Sequence, residues 1–304
     1  MKEKFEEQLK GYLKNGQLRL SEPMKNHTTF RIGGPADYFV TPAGEEELAL
    51  AVQLCREYEL PYYVIGNGSN LLVSDRGFRG VIFCIGKGMS AIELEGSDVL
   101  KAQAGASLAR CASQAAANSL SGLEFAGGIP GTAGGAVMMN AGAYGGEMRD
   151  TILWARILWE NGKIEKLSKE ELQLSYRHSI LAERPGIVLE TAFLLKKDDR
   201  EKILERMNDF NQRRREKQPL DYPSAGSTFK RPEGYFAGKL IMDAGLRGFR
   251  IGDAMVSEKH CGFVVNAGEA TAEQVKELME EVDRIVFEKA GVHLTPEVRF
   301  VGEW

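Results

Sequence analysis

The 304-residue sequence lacks the motifs of several common kinds of site. Neither of its two glycine-rich stretches ends in GKS or GKT, so a Walker-type phosphate loop is excluded. No CxxC pair occurs, and the four histidines show no metal-ligand spacing, so a zinc site is not expected. The cysteines lie far apart in apolar surroundings, and we predict small buried apolar side chains, in a reducing compartment, for Cys55, Cys84, Cys111 and Cys261.

Long apolar runs are also missing, so we expect neither a signal peptide nor a membrane span. Residues 1–18 are charged and predict an amphipathic helix with Phe5, Leu9 and Leu13 on one face. The net charge of −4 gives no general reason to expect nucleic-acid binding, and the composition is ordinary for a soluble globular protein. We therefore expect a cytoplasmic protein in which any phosphate site is local.

Glycine is abundant, and it is concentrated in residues 122–147, GLEFAGGIPGTAGGAVMMNAGAYGGE, which contain nine glycines. A glycine within regular structure costs about 0.5–1 kcal/mol relative to alanine, so this density predicts positive φ angles or very close contacts. Four other side chains indicate an ordered loop rather than a flexible linker: Pro130, Thr132, Asn140 and Tyr144. We interpret the stretch as a nest of backbone N–H donors for an anion, and a diphosphate fits best.

A second glycine stretch, GNGSNLLVSD at residues 66–75, directly follows a predicted strand. Two glycines after a strand are typical of a phosphate turn. However, the third glycine of a dinucleotide fingerprint is replaced by Leu71, and the residues beyond it indicate strand instead of helix. A Rossmann domain is therefore disfavoured, while an ordinary tight turn and a phosphate-facing turn of another fold both stay open.

Hydrophobic periodicity predicts the elements before the long glycine-rich stretch. Residues 45–60 form a predicted helix with Leu48, Val52 and Cys55 toward a core, between strands near 37–40 and 61–65. A strand and then a helix capped by Ser107 lead into the stretch.

Beyond that stretch, residues 151–168 predict a hairpin with the turn Asn161-Gly162. A strand follows, and then a helix that ends at Pro219. Its basic last turns are typical of a solvated helix end, although one arginine could reach a cofactor phosphate. From Leu220 the chain predicts a small separate α/β lobe, which is closed by a helix over 271–291 and a last strand.

Three polar side chains stand in glycine-rich or apolar surroundings: Arg177, Ser227 and Glu297. Each alone is more often structural; Glu297, for example, shares a strand face with Arg299 at i+2, as structural ion pairs do. Together with a phosphate nest they would suit enolate or carbanion chemistry, in which a cation stabilises negative charge and a weak acid delivers a proton.

Ser227 and Lys230 also spell SxxK, the nucleophile signature of penicillin-binding serine enzymes. That motif needs a helix, whereas here Arg231 and Pro232 follow at once, and neither SDN nor KTG occurs in the chain. A serine acyl-transfer enzyme stays open as a rival interpretation, and it would bind no coloured cofactor.

Eight motifs in a fixed order over about residues 20–303 resemble those of the UDP-N-acetylenolpyruvoylglucosamine reductases, flavoenzymes of bacterial cell-wall synthesis. They are TTFRIGGPADYFV, GNGSNLLVSD, GGIPGTAGGAVMMNAGAYGGE, SYRHS, AGSTFKRP, AGKLIMDAGLRG, SEKHCGFVVN and LTPEVRFVG. Single motifs are weak, but eight in order are highly specific. The chain resembles the shorter form of the family, which lacks an inserted segment bearing a tyrosine that closes over the substrate.

The resemblance implies an α+β fold: a two-part FAD-binding region of the vanillyl-alcohol-oxidase type plus a smaller C-terminal α/β substrate lobe. The expected domains are a first FAD-binding subdomain over 1–85, to which the strand 298–304 returns, a second over 86–218, and a substrate-binding domain over 219–297. No metal, nucleic-acid partner or membrane partner is expected, and the protein should be a monomer or a weak oligomer.

The activity implied by the resemblance is the NADPH-dependent reduction of UDP-N-acetylglucosamine enolpyruvate to UDP-N-acetylmuramate through a non-covalent FAD. Arg177 matches the family's active-site arginine, Ser227 its proton donor and Glu297 its second catalytic residue. Contacts to substrate or NADPH are implied for Tyr176, Lys230, Arg231 and Lys239. Contacts to FAD are implied for Arg31, Ile32, Gly33, Gly66, Asn67, Gly68, Ser69, Asn70, Leu71, Gly127, Gly128, Ile129, Pro130, Gly131, Thr132, Gly134, Gly135, Ala141, Gly142, Arg214 and Arg299.

Two other functions stay open. An FAD oxidase of the same fold could use oxygen and a small alcohol or sugar, although neither glycine stretch contains the histidine or cysteine that often holds flavin covalently. A flavin- or nucleotide-binding protein without catalysis is the second alternative, but it would leave the catalytic trio without a task.

Overall fold

The computed structural model describes residues 2–14 and 17–304, which contain both helices and strands. The helices are α1 (Lys2–Tyr12), α2 (Glu45–Glu57), α3 (Leu108–Ala117), α4 (Ala133–Met139), α5 (Met148–Thr151), α6 (Arg200–Lys217), α7 (Ala237–Asp243) and α8 (Ala272–Ala290). The strands are β1 (Leu18–Pro23), β2 (Pro35–Val40), β3 (Tyr62–Ile65), β4 (Leu71–Val73), β5 (Phe78–Cys84), β6 (Ile92–Glu95), β7 (Val99–Gln103), β8 (Leu120–Ser121), β9 (Gly142–Ala143), β10 (Gly146–Glu147), β11 (Ile152–Trp159), β12 (Ile164–Ser168), β13 (Gly186–Leu194), β14 (Lys196–Lys197), β15 (Arg250–Ile251), β16 (Ala254–Val256), β17 (Val264–Asn266) and β18 (Arg299–Val301).

The chain divides into two compact units, each assembled from separate stretches of sequence. Unit 1 comprises Met1–Leu20, Tyr38–Asn67 and Gly80–Arg214. Unit 2 comprises Ser21–Asp37, Gly68–Arg79 and Arg215–Trp304. The finer three-domain boundaries expected from the resemblance stay a prediction.

A five-stranded antiparallel sheet, in the order β12-β11-β13-β7-β6, is the largest sheet of unit 1. The hairpin between β11 and β12 turns at Asn161-Gly162 as predicted, with Gly162 at a φ of 82°. A four-stranded sheet has the order β1-β2-β5-β3, and its strands β3 and β5 run parallel.

The N-terminal half of unit 1 packs around two amphipathic helices. Phe5 and Leu9 of α1 are fully buried, and the Phe5 ring makes edge contacts with Tyr38 and Tyr58. Helix α2 buries Leu48, Val52 and Cys55, as the sequence predicted. Because the apolar residues of each helix recur at helical spacing, one face enters the core and the other stays polar.

Unit 2 has a core of its own, with α8 along it. The helix begins at the predicted position because the Thr271 hydroxyl accepts a hydrogen bond from the Gln274 N–H, and it ends at Gly291 with a φ of 67°. Its buried residues follow helical spacing: Val275, Leu278, Met279, Val282 and Val286. The predicted last strand is β18, which pairs in parallel with β4, and β15-β16-β17 form a small sheet.

The cysteines are free thiols, and burial raises the pKa of each of them. Cys55, Cys111 and Cys261 are buried as predicted, whereas Cys84 is half-buried. In the part of the chain that the structure describes, every helix is too short or too polar to cross a membrane.

Candidate active site

Part of the long glycine-rich stretch is helical, so its interpretation as a loop throughout was wrong. Residues Glu124–Gly128 form a single 3-10 turn, and Ala133–Met139 form α4. Helix α4 begins at Thr132, whose hydroxyl accepts a hydrogen bond from the Gly135 N–H at 3.4 Å.

Close packing explains a helix in so glycine-rich a sequence. The Ala133 N–H donates to the Ala106 carbonyl at 2.8 Å, and the Gly134 N–H donates to the Ala104 carbonyl at 2.9 Å. A Cβ added at Gly134 would lie only 2.9 Å from the Ala104 Cβ, so a side chain there would force α4 away. Since these N–H groups already have acceptors, the stretch offers an anion fewer backbone donors than the sequence indicated.

The structure brings the first residues of the second glycine stretch to the start of α4. The Asn67 side-chain amide donates to the Pro130 carbonyl at 3.1 Å. A Cβ added at Gly66 would collide with the Thr132 hydroxyl, so this backbone approach requires a glycine. Two segments that are distant in sequence therefore form one backbone-lined site in unit 1.

One face of α6 packs along the glycine-rich stretch. A Cβ added at Gly127 would lie 3.2 Å from the Met207 methyl group, and one added at Gly128 would lie 2.8 Å from the Asn211 side-chain oxygen. The Phe210 ring stacks on the Tyr144 ring, with centroids 5.0 Å apart and an interplanar angle of 4°. This face holds the C-terminal part of α6 against Gly128.

Arg214 lies on the same face and has an unsatisfied donor. A Cβ added at Gly128 would lie 3.1 Å from the Arg214 Nε, and the guanidinium lies 6.0 Å from the Tyr144 ring centroid. The Nε–H is buried and has no hydrogen-bond partner among the described residues. A buried guanidinium N–H without an acceptor is costly, so this position favours an anionic ligand.

Two glycines at this site are not required by packing within the protein. A Cβ added at Gly131 would have its nearest neighbour at 3.7 Å, and one at Gly135 would have its nearest neighbour at 3.6 Å. Both distances are ordinary contacts. The absence of side chains here leaves room for a ligand to approach the backbone.

The remaining candidate FAD positions of unit 1 lie along the same stretch. Ile129 packs against the apolar cluster beneath it. Ala141 and Gly142 stand at the start of β9, where a Cβ on Gly142 would lie 2.7 Å from the Glu147 Cβ.

Arg177 lies in a tight turn of unit 1. Ser175 and His178 exchange backbone hydrogen bonds of 3.2 and 3.1 Å, which leaves Tyr176 and Arg177 at the tip. The φ of Arg177 is 54°, a conformation that residues other than glycine seldom adopt. The guanidinium lies 5.2 Å from the Tyr176 ring centroid.

Unit 2 pairs the segments that carry Ser227 and Glu297. The Glu297 N–H donates to the Thr228 carbonyl at 2.8 Å, and Phe229 forms a β-bridge with Pro296. Thr228 is fully buried, and its hydroxyl accepts from the Val264 N–H at 2.8 Å. Ser227 therefore directly precedes Thr228, a rigidly held residue that binds the backbone of Glu297. Glu297 is only 8% exposed.

The middle of the second glycine stretch, just after GNGS, contacts the segment that contains Glu297. The Asn70 side-chain amide donates to the Glu297 carbonyl at 3.2 Å, and the Arg299 N–H donates to the Asn70 carbonyl at 2.9 Å. Leu71 opens β4 and pairs with Arg299 in β18. Asn70, Leu71, Glu297 and Arg299 thus form one local group in unit 2.

The segment with the sequence FRIGG, from the first of the eight motifs, lies against the second glycine stretch within unit 2. The Thr29 N–H donates to the Gly68 carbonyl at 3.3 Å. Arg31 has a φ of 56°, and a Cβ added at Gly33 would lie 2.9 Å from the Val73 Cβ. Ile32 is buried in the core, and Ser69 follows Gly68 in the stretch.

The candidate substrate contacts lie in different surroundings. Tyr176 is 51% exposed, and Lys230 is half-buried, with its N–H bonded to the Thr295 carbonyl at 2.8 Å. Arg231 is exposed and lies 3.8 Å from the Phe236 ring centroid. Lys239 forms an exposed ion pair with Asp243 at 2.8 Å, so its charge already has a partner.

Known proteins of one family match this chain over nearly its whole length. A model of the C-terminal domain of UDP-N-acetylenolpyruvoylglucosamine reductase matches residues 218–301, and a model of an FAD binding domain matches residues 36–168. A UDP-N-acetylenolpyruvoylglucosamine reductase from Lachnoclostridium phytofermentans is 53% identical over 98% of this chain and 97% of its own. One from Caldanaerobacter subterraneus subsp. tengcongensis is 51% identical over the full length of both. The chain belongs to the UDP-N-acetylenolpyruvoylglucosamine reductase family.

Solved structures support the same assignment. The UDP-N-acetylenolpyruvylglucosamine reductase from Thermus caldophilus is 38% identical, with a TM-score of 0.80 over 93% of this chain and 99% of that one. The 4-ethylphenol oxidase from Gulosibacter chungangensis shares the fold, with a TM-score of 0.50 and 14% identity over 64% of this chain and 42% of that one. The resemblance and fold class predicted from the motifs are therefore confirmed, including the FAD-binding region of the vanillyl-alcohol-oxidase type and a C-terminal reductase-family domain.

The residues of unit 1 fit the flavin nucleotide that an FAD-binding domain takes. The buried Arg214 N–H needs an acceptor, and a phosphate oxygen would supply one. Gly131 and Gly135 leave the backbone open where a ligand could approach it. In this part of the glycine-rich stretch the chain therefore offers a charged hydrogen-bond donor, Arg214, and a backbone surface that a ligand can approach.

Sequence reasoning missed the two features that organise this region. The α6 face that Met207, Phe210 and Asn211 form beside the predicted contact Arg214 follows helical spacing, so its periodicity could have identified it. The role of Asn140, which is 1% exposed and bonded to the Ser175 carbonyl at 3.0 Å, had no signal beyond a polar residue among glycines. Among the described residues, no group of three or more His, Cys, Asp or Glu side chains could hold a metal ion.

Proposed function

We propose that this chain reduces UDP-N-acetylenolpyruvoylglucosamine to UDP-N-acetylmuramate with NADPH and a non-covalent FAD, in the synthesis of peptidoglycan precursors. The observation that carries the proposal is the match at 51–53% identity, over nearly the full chain, to relatives named for this reduction. The FAD oxidase with an alcohol or sugar substrate is less well supported, because the oxidase neighbour shares the fold alone at 14% identity.

When bound, FAD would supply the hydride-transfer chemistry that links NADPH to the double bond of the enolpyruvyl ether. Arg214 would hold a cofactor phosphate through its buried N–H, beside Gly128. The backbone at Gly131 and Gly135 would lie against the cofactor, because packing within the protein leaves that side open. The GNGSN and FRIGG residues are proposed cofactor contacts on the strength of their motifs.

Arg177 is the proposed cation that stabilises the charge developing on the substrate. Adding a hydride to C3 of the enolpyruvyl group moves negative charge toward C2 and its carboxylate. A guanidinium fixed in a tight turn can stabilise that charge without reorganising, which is the usual source of electrostatic catalysis. The positive φ of Arg177 supports this role, since backbone strain of this kind concentrates at functional sites.

Ser227 is the proposed donor of the proton to C2, and Glu297 the second catalytic group. A serine hydroxyl is a poor acid, so the transfer depends on local polarisation, for which Lys230 or a water molecule is a candidate. The backbone bonds through Thr228 support a shared task, because they fix the Ser227 and Glu297 segments relative to each other. Tyr176, Arg231 and Lys239 are proposed substrate or NADPH contacts, and the existing ion pair makes Lys239 the weakest of them.

The remaining assignments are also proposals. We propose a cytoplasmic enzyme that is a monomer or a weak oligomer and has neither nucleic-acid nor membrane partners. Three domains over 1–85 with 298–304, 86–218 and 219–297 are proposed, and the family matches over 36–168 and 218–301 support a boundary near residue 218.

Anaerobic stopped-flow spectroscopy of the purified yellow protein tests the function. NADPH should bleach the flavin, and UDP-N-acetylenolpyruvoylglucosamine should restore its colour in the absence of oxygen. Reoxidation by oxygen, without any response to the enolpyruvyl substrate, would instead identify an oxidase. Colourless protein that takes up no added FAD would contradict the cofactor assignment.

A further inference from the structure

The turn that carries Arg177 is fastened on both sides to the C-terminal end of α4. The Asn140 side-chain amide donates to the Ser175 carbonyl at 3.0 Å. The Ser179 hydroxyl, in a fully buried residue, donates to the Met138 carbonyl at 2.9 Å. The two anchored residues stand two positions before and two positions after Arg177.

Asn140 is suited to this task because its amide nitrogen and its amide oxygen are both hydrogen-bonded. Its amide nitrogen donates to the Glu147 carboxylate at 2.9 Å as well as to Ser175, and its amide oxygen accepts from the Arg149 N–H at 2.9 Å. Two acceptors and one donor therefore surround the amide in a site that is 1% exposed. An aspartate of the same shape would place an oxygen against two acceptors, so the site specifies asparagine.

Asn140 and Arg177 both have a positive φ. Asn140, at 41°, ends α4 in the left-handed conformation that asparagine readily adopts at helix ends. Arg177 has a φ of 54°, and for an arginine such a conformation persists only where the surroundings determine it. The turn between Ser175 and His178 has two backbone hydrogen bonds of its own. The hydrogen bonds to α4 also fix the position of the turn relative to that helix, which the hydrogen bonds within the turn do not do by themselves.

We infer that Asn140 is a positioning residue for Arg177, with Ser179 as a second anchor. This inference rests on the proposed function, because it takes Arg177 to stabilise charge on the substrate. Asn140 acts through the backbone of the turn and not through contact with the substrate. A displacement of about 1 Å in a positioned catalytic group can lower a rate by about 10²-fold, so loss of this bond should have a measurable effect.

The first experiment compares Asn140→Gly with wild type in separate half-reactions. Glycine tolerates the positive φ of residue 140, so the backbone is kept while all three side-chain hydrogen bonds of Asn140 are lost. We expect flavin reoxidation by UDP-N-acetylenolpyruvoylglucosamine to slow by about 10²-fold, while reduction by NADPH is unchanged. Asn118→Gly is the matched control, because Asn118 also caps a helix and, among the residues that the structure describes, its side chain bonds only to the Gln114 carbonyl of that helix, at 2.8 Å.

A double-mutant cycle tests whether the effect runs through Arg177. In an Arg177→Ala background, Asn140→Gly should cause no further slowing, because the group that it positions is gone. Additive effects of the two substitutions would overturn the inference. If Arg177→Ala itself leaves reoxidation unchanged in an active enzyme, the proposed role of Arg177 fails instead, and the two failures can be told apart.

Hydrogen exchange of the cofactor-free chain gives a readout that does not depend on activity. The Ser175 and His178 amides, which close the turn, should exchange faster in Asn140→Gly than in wild type or Asn118→Gly. Unchanged exchange at both amides would contradict the positioning role. If Asn140→Gly does not fold, Ser179→Ala removes the other anchor and is expected to give the same pattern in all three measurements, and its absence would overturn the inference.

Discussion

Units 1 and 2 present their candidate site residues in different ways. In unit 1 the predicted FAD contacts are mostly backbone positions without side chains, and Arg214 adds one buried N–H that lacks a partner among the described residues. In unit 2 Ser227 and Glu297 are side chains on extended segments joined by backbone bonds through Thr228. Substitutions near the glycines of unit 1 should therefore change how the cofactor is held, whereas substitutions of Ser227 or Glu297 in unit 2 should change the chemistry after flavin reduction.

Ser227→Ala should give the largest effect and is the most direct way to break this comparison. We expect flavin reoxidation by the enolpyruvyl substrate to slow by about 10²–10⁴-fold, the usual contribution of a general acid, with reduction by NADPH intact. Stopped-flow measurement of each half-reaction checks this. Ser224→Ala makes the same chemical change three residues earlier and should leave both rates near wild type. Equal loss of both half-reactions in Ser227→Ala would show that Ser227 serves cofactor binding or folding.

Arg214→Ala tests the other half of the comparison, which is how unit 1 holds the cofactor. Loss of a hydrogen bond to a charged group costs about 1.5–3 kcal/mol, so the dissociation constant for FAD should rise by about 10-fold to 10²-fold. Titration of the cofactor-free protein with FAD measures it. Arg213→Ala is the control, because Arg213 is exposed and forms an i,i+4 ion pair with Asp209 at 2.8 Å. Equal affinities of the two variants would contradict the assignment of Arg214.

Gly66→Ala tests the close packing of the backbone at Gly66 without changing any group that takes part in the reaction. The added Cβ would collide with the Thr132 hydroxyl, and overpacking of this kind typically lowers the free energy of unfolding by about 1–3 kcal/mol. We also expect a lower flavin content, measured by the absorbance ratio of flavin to protein, and a lower Tm. In Gly11→Ala, within α1, the Cβ meets nothing within 4 Å and alanine favours the helix, so this control should keep its flavin and should not lower the Tm. A wild-type Tm for Gly66→Ala would show that the segment can move aside.

The sequence predicted the elements that local patterns determine. Helix α8 followed from its cap and its apolar spacing, and the hairpin at Asn161-Gly162 followed from its turn residues. Helix α4 was missed because one of its glycines, Gly134, is explained by contact with Ala104, a partner that is distant in sequence. Local composition therefore could not distinguish a closely packed helix from a loop.

Contacts between residues distant in sequence in the candidate sites could not be predicted for the same reason. Nothing in the local sequence joins Asn140 to the Ser175 carbonyl, because that bond depends on how α4 packs. Ser227 and Glu297 were associated through their residue types and through the resemblance to a family, and the structure shows the backbone bonds that bring their segments together. The types of residue could be predicted, but the contacts that fix them could not.

The smallest expected effect concerns how α6, and with it Arg214, is held to the glycine-rich stretch. The Glu124 carboxylate is 8% exposed and accepts from the Arg206 guanidinium at 2.7 Å and from the Gly122 N–H at 2.7 Å. Burial raises the pKa of Glu124, but the hydrogen bonds from Arg206, Gly122 and Ser121 outweigh it and hold this pKa below its usual value of 4.5.

Because the pKa of Glu124 is lower in the folded state, its charge stabilises the fold above the unfolded pKa. That contribution is lost as the pH falls through the folded pKa. Glu124→Gln should therefore lower the free energy of unfolding by roughly 1.5 kcal/mol near pH 7, and the difference from wild type should shrink below about pH 4.5. Urea unfolding across this pH range measures it, with Glu93→Gln as an exposed control that should change little. A difference that stays constant with pH would mean that Glu124 acts through packing, and the charge of Arg206 would then have no part in holding α6 beside Gly128.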